Sequence, residues 1–318
     1  MNRKGLDFTF TWIFAIIAGA VILFSAIYIT TKLISSNELE RDTFVASELS
    51  NILNPVETNL EDSKYSSIKF NSETRIYNEC SNSGVFGKQQ ISTASRGSIK
   101  EGWSKQSVRK SSFNRYIFSK EIEETNNKRM HVLANPLEMP FKIGDIIIMY
   151  GGKYCFVNPS SDIEDNFVDI SSNGAQDIGI NISSSINSCP SNYTTVCFNA
   201  NGCDIKVITG DGEGTVSKYG RELYYYGDAL EIAAIFSDPE VYECQIKRLA
   251  KRAGELGIIY KNKALYIEGS GCSNNLASDL QSFVLATNIN NSREFRQVRN
   301  IAKDLEEKND GLASCKIF

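Results

Sequence analysis

The 318 residues predict an α+β chain: an N-terminal transmembrane helix with a helical stalk, a β-rich middle domain, and a helical, disulfide-linked C-terminal part. Three observations carry this. An uncharged apolar run occupies Phe8 to Thr31. Short Val/Ile/Tyr/Phe-dense runs recur from residue 55 to 236, the spacing of a β-rich domain. After Phe236 the apolar period changes to that of a helix, and all eight cysteines lie beyond the apolar run.

The composition is globular: 42% hydrophobic and 23% charged, too apolar for a disordered chain. A net charge of −4 and a pI near 5.4 argue against nucleic acid as a partner. With one histidine, His131, a histidine-dependent nucleophile has a single candidate, and no multi-histidine metal site fits in one chain.

The run FTFTWIFAIIAGAVILFSAIYITT, bounded by Asp7 and Lys32, has 24 residues. As a helix it measures roughly 36 Å, enough for a ~30 Å hydrocarbon core. Trp12 and Tyr28 stand near its two ends, as interfacial rings do. The expected organisation is a cytoplasmic tip over 1–7, a span over 8–31, a helical stalk over 32–54, a β-rich extracytoplasmic domain over 55–236 and a helical remainder over 237–318. The bilayer is thus the first expected partner. Arg3 and Lys4 precede the span, which favours a cytoplasmic N-terminus. The even cysteine count and N-x-S/T sequons at Asn181, Asn192 and Asn290 favour an outside location for the rest.

Arg3-Lys4-Gly5 before an apolar helix resembles the class III signal of type IV pilin-like proteins, cut after the glycine, here between Gly5 and Leu6. The fifth residue after that cut is Phe10, where the bacterial pattern has glutamate. An ordinary signal anchor with a basic tip is the alternative. Leu39, Val45, Leu49, Ile52 and Leu53 extend the helical spacing to Asn54-Pro55, where proline predicts the end of a ~70 Å helix.

In the middle domain, Asp145–Tyr150 and Lys153–Asn158 predict a hairpin through Gly151-Gly152, glycines suited to a tight I′ turn. Thr194–Phe198 and Asp204–Thr209 predict a second, with Cys197 and Cys203 facing each other across its loop. Leu223–Phe236, with Tyr224-Tyr225-Tyr226, reads as a strand packed on both faces. The Ser/Gly/Lys/Gln-rich stretch 81–112 reads as a loop-bearing hairpin with a strand near Gly87–Ala94. Beyond it Ser237 is the expected N-cap of a helix, with Asp238, Pro239 and Glu240 in the first turn. Tyr242, Ile246, Leu249, Ala253, Leu256 and Tyr260 form its apolar stripe; Lys247, Arg248, Lys251 and Arg252 form a solvated face, or a surface for acidic glycans or lipid headgroups. A further helix begins near Ser292, with Phe295, Val298, Ala302 and Leu305 on one side.

Cys80, Cys155, Cys189, Cys197, Cys203, Cys244, Cys272 and Cys315 contain no C-x-x-C, so structural disulfides are the expected use. Cys197–Cys203 is the preferred pair and Cys80–Cys155 a second; Cys244, Cys272 and Cys315 are three, so one pairs elsewhere or stays free. No catalytic motif is present. Ser66-Ser67-Ile68-Lys69 is a chance S-x-x-K, and His131 sits in a strand-like context. Asp162, Glu164, Asp165 and Asp169, and the turn Gly210-Asp211-Gly212-Glu213-Gly214, read as solvated loop carboxylates, with calcium as the alternative. No catalytic, cofactor-binding or metal residue is assigned.

The stretches WIFAIIAGAVILF, RYIFSKEIE, MPFKIGDIII, YCFVNP, GDALEIAAIFSDPEVYECQIKRL and the terminal CKIF resemble a group of single-pass membrane proteins of small-genome archaea. The resemblance implies an archaeal source, one anchor and an extracytoplasmic domain, and no catalytic residue. Two function classes follow. One is a structural or interaction protein of the cell surface, assembled with its own copies or other surface proteins through the N-terminal helix, where Ala15 and Gly19 permit close contact. The other is an extracytoplasmic enzyme or substrate-binding component.

Overall fold

The computed structural model of the chain describes residues 10–58, 64–97, 102–172, 178–272, 274–312 and 314–318. Helix α1 (Phe10–Thr58) has 49 residues, about 73 Å of rise. It runs through Pro55 to Thr58 rather than stopping at Asn54. Proline keeps a helical φ and forfeits only the N–H bond to the Asn51 carbonyl, a small loss within the last turn.

Among the described residues, two four-stranded sheets and one of six follow. The first joins β1 (Lys64–Lys69), β7 (Arg129–Glu138), β8 (Lys142–Tyr150) and β5 (Tyr116–Phe118), in that order. The second joins β4 (Lys110–Ser112), β3 (Lys88–Ser95), β2 (Thr74–Ser81) and β6 (Ile122–Glu124), all antiparallel. The third runs β10 (Ile180–Ser183), β9 (Tyr154–Val157), β11 (Thr194–Phe198), β12 (Ile205–Thr209), β13 (Glu213–Lys218) and β14 (Arg221–Tyr226). Its first four strands are parallel and the last two antiparallel.

The first sheet is a middle layer buried on both faces, which explains the unbroken apolar run of β8. Ile146, Ile148 and Tyr150 enter the main core with Phe156, Val207 and Phe236. Ile147 and Met149 point the other way, to a smaller core with Ile76 and Ile91 of the second sheet and Leu49 of α1. The C-terminal half of α1 is therefore docked on the second sheet. Asp42 secures it: its carboxylate accepts from the Ser104 hydroxyl and, at 3.3 Å, from the Ser95 N–H, while its carbonyl accepts from Thr93 Oγ1 at 2.8 Å.

Several expectations fail for reasons of tertiary packing. β8 and β9 do not form a hairpin; they belong to different sheets, and neither Gly151 nor Gly152 takes the positive φ of a I′ turn. Gly151 lies so close to the Glu124 carbonyl oxygen that any Cβ would overlap it, so the pair serves a close crossing between sheets. β11 and β12 are neighbours as expected but parallel, with Val196 opposite Ile205 and Phe198 opposite Val207. The chain returns through residues 199–204, a loop closed by Cys197–Cys203 and by Asp204, whose carboxylate accepts from Thr195 N and Oγ1, each at 2.8 Å.

The run 223–236 is two elements: β14, then helix α3 (Gly227–Phe236), whose residues from Leu230 to Phe236 are all buried. Ser237 closes α3, donating to the Ala233 carbonyl at 2.7 Å, instead of capping the next helix. Helix α4 (Pro239–Gly269) starts from Asp238, whose carboxylate accepts the Glu121 N–H at 2.8 Å rather than capping its own helix. Tyr242, Ile246, Leu249 and Ala253 are buried along it, and Leu256 and Tyr260 pack at the margin of the core. Helix α6 (Phe295–Asp310) buries Phe295, Val298, Ala302 and Leu305, the anticipated face. Two helices were not anticipated, α5 (Ala277–Ala286) and α2 (Ser161–Ser172), which bridges parallel β9 and β10. Asp162, Glu164, Asp165 and Asp169 lie on α2, not on a loop.

Candidate functional site

A cleft of about 590 Å³ opens between the N-terminal two-thirds of α6 and the antiparallel end of the six-stranded sheet. The local sequence builds it. Ser292, just before α6, pins the helix: its hydroxyl accepts from the Tyr224 N–H at 3.0 Å and donates to Glu243 of α4 at 2.6 Å. With Phe295, Val298 and Ala302 turned inward, the helical period sends Arg293, Arg296, Arg299 and Lys303 along the flank that faces β13 and β14.

Glu213 forms the floor. Tyr224 donates to its carboxylate, and Arg296 and Arg299 stand 2.7 and 3.5 Å from it. Burial first, and then the bond to Glu213, raise the Tyr224 phenol well above its ordinary range. The Arg299 guanidinium lies 4.4 Å over the Tyr226 ring, and its Nε has no hydrogen-bond partner among the described residues. Arg293 pairs with Glu222 at the rim, at 2.5 Å.

A second cluster is buried where three layers meet. Lys218 Nζ, almost out of solvent, donates to the Ile235 carbonyl at 2.8 Å. Burial pulls its pKa down to about 7, with Lys120 adding to the depression and Asp238 and Glu123 opposing it. Glu123 accepts the Gly151 N–H at 3.0 Å, and burial raises its carboxyl. The Tyr154 hydroxyl has no hydrogen-bond partner among the described residues, and Lys120 lies 5.7 Å from its ring. A proton-transfer group needs a route to substrate, and neither the α6 cleft nor the hollow beside α1 lined by Asp42, Leu49 and Phe70 includes a residue of this cluster.

Arg248, expected on a solvated face, is fully buried. Its guanidinium donates to the carbonyls of Phe86, Arg115 and Phe113 at 3.1, 2.7 and 2.9 Å and to Gln245 Oε1 at 2.8 Å. Lys251 donates to the carbonyls of Asn82 and Gly84, at 2.7 and 3.0 Å, and Arg252 to that of Ile143 at 2.6 Å. Arg248 and Lys251 thus hold loops to α4, and Arg252 holds the start of β8 to it. A helical wheel places Arg248 outside the apolar stripe, but it cannot show a second sheet covering that side.

The cysteines pair as Cys80–Cys244, Cys155–Cys189, Cys197–Cys203 and Cys272–Cys315. Cys80–Cys155 is thus replaced: β2 and β9 lie in different sheets, and α4 brings Cys244 to within 6.1 Å of Cys80, Cα to Cα. Cys244 is the C-terminal cysteine that pairs elsewhere. Asn181 is exposed on edge strand β10, Asn192 on the turn before β11 and Asn290 before α6, where its side chain approaches Glu294. Gly5 and Leu6, and with them the cleavage reading, lie outside the described residues. His131 is buried on β7, with Nδ1 2.8 Å from the Tyr65 hydroxyl and its ring stacked on Tyr150. Ser66 and Lys69 are exposed on β1. No group of three or more His, Cys, Asp or Glu among the described residues is placed to hold a metal ion.

Within α1, Trp12–Leu33 is long and apolar enough to cross a membrane, with a mean hydropathy of 2.5 and none of it buried in the fold. Comparisons of the chain with protein-family models, with curated proteins and with solved structures return no match.

Proposed function

We propose that the chain is a membrane-anchored, extracytoplasmic interaction protein of the cell surface, in which α1 is both the anchor and the element through which copies or other surface proteins assemble. The observation that carries this is the division of α1. Its first half exposes an apolar surface of 22 residues, while its second half is fixed to the second sheet. So large an apolar surface is not stable in water; lipid or other apolar helices must cover it. The four disulfides support an oxidising compartment for the domain, and Arg3 and Lys4 support a cytoplasmic N-terminus. A helix half free and half docked also suits a pilin-like subunit, processed between Gly5 and Leu6. The α6 cleft favours the second reading, a substrate-binding component, though its central carboxylate is already occupied by a tyrosine and two arginines.

Carbonate extraction of native membranes, followed by protease treatment of intact cells, tests the anchor and its sidedness. The protein is expected to stay with the membrane and its domain to be cut from outside; release by carbonate, or protection in intact cells, overturns the proposal. Mass spectrometry of the purified protein then reads the N-terminus. A chain starting at Leu6 supports prepilin-type processing, and one retaining Arg3-Lys4-Gly5 removes it.

A further inference from the structure

The cleft along α6 has a charge balance that its own residues do not complete. At its centre three cations, Arg296, Arg299 and Lys303, line a space containing one floor carboxylate, Glu213. That carboxylate is shared between two guanidinium groups and the Tyr224 hydroxyl, so each arginine receives only part of one negative charge. Lys303 contacts no acid of the cleft; its nearest is Glu307, 4.0 Å away along the same helix. Arg293 and Glu222 balance each other at the rim, and Asp211 stands on the turn at the mouth. This happens on a chain whose net charge is −4, so it is a local arrangement and not a generally basic surface.

The side chains also suit a ligand in position. Arg296 and Lys303 are 60% and 62% exposed, free to swing onto a bound group, whereas Arg299 is held against the Tyr226 ring and keeps its orientation. Guanidinium forks match the paired oxygens of a carboxylate or phosphate, and lysine adds a point charge. We infer that the α6 cleft is a binding site for an oxyanion, a carboxylate or phosphate group, seated between Arg296, Arg299 and Lys303, with Glu213 as the internal group it displaces. The two sources of that chemistry are an acidic sugar and phosphate itself. The inference concerns the folded domain alone and holds on either side of a membrane.

The test is equilibrium dialysis of the full chain in an uncharged detergent, against labelled glucuronate in one arm and inorganic phosphate in the other. Saturable binding in either arm, weakening as salt rises, is expected; the stronger arm identifies the source. The double variant R296A/K303A changes two exposed side chains and leaves the core intact, and it is expected to weaken binding about tenfold or more. E213Q keeps an acceptor for Tyr224 while removing the competing charge, and it is expected to tighten binding about tenfold. A purely structural role for Glu213 cannot produce that gain. No saturable binding in either arm at about 10 mM ligand, binding indifferent to R296A/K303A, or weaker binding by E213Q each overturns the inference.

Discussion

Lys218 on β13 and Glu231 on α3 are two buried groups whose shifted pKa values make the fold sensitive to pH in opposite directions. Burial lowers Lys218 to about 7, so its contribution to stability is complete above its unfolded pKa of 10.5 and is lost as pH falls toward 7. Burial and the neighbouring Asp228 raise Glu231 from 4.5 to about 7, so its contribution is complete below 4.5 and is lost as pH rises through 7. Together they place a local minimum of stability near neutrality. Urea unfolding of the full chain in detergent should show stability rising from pH 7 to 10 by an amount on the order of several kcal/mol. K218M should flatten that limb alone, and E231Q the limb between pH 4.5 and 7. A profile unchanged by either substitution would exclude these groups as the cause. Arg248 tests a different kind of burial. R248A leaves three loop carbonyls and Gln245 without their donor and should cost about 3–5 kcal/mol. R248K, with a compact head in place of a planar fork, should recover only part of it. A loss under about 1 kcal/mol would mean water replaces the guanidinium.

At the scale of elements, the disulfides differ in what they join. Cys80–Cys244 ties the second sheet to α4 across 164 residues, whereas Cys197–Cys203 closes a loop with a separation of six. Loop-closure entropy assigns about 5 kcal/mol to the first and about 2 to the second. C80A/C244A should therefore lower the urea midpoint more than C197A/C203A, and equal losses would show that strain or residual structure outweighs chain entropy. The short disulfide has a topological role in addition. Parallel neighbours ordinarily need a crossover of about a dozen residues. Here residues 199–204 suffice, because the loop is held by Cys197–Cys203, by Asp204 on Thr195 and by Asn199 on Thr209.

For the whole molecule, the periodic and local features were legible in the sequence. The apolar helix, the stripes of α4 and α6, and the pairing of Cys197 with Cys203 each depend on residues near one another in the chain, and the structure has them. What sequence could not supply depends on which element lies against which. The run Ile146–Tyr150 is apolar at every position because the first sheet has a core on each face, so a turn-based reading had no way to place its next strand in another sheet. Arg248 is buried because a second layer covers the polar side of α4, and Cys80 meets Cys244 for the same reason. The cleft was legible only in part: the turn 210–214 stood out for its carboxylates, but Glu213 is the floor of the cleft rather than a solvated loop acid, held by Tyr224 of the neighbouring strand and by Arg296 and Arg299, which reach it only when α6 packs on β14. Period and composition determine which faces of a segment are apolar, because that depends on backbone geometry alone. Layer order, strand direction and the meeting of distant charges were decided by tertiary packing, because many chain paths satisfy the same periods and only the burial of both faces of the first sheet selects among them.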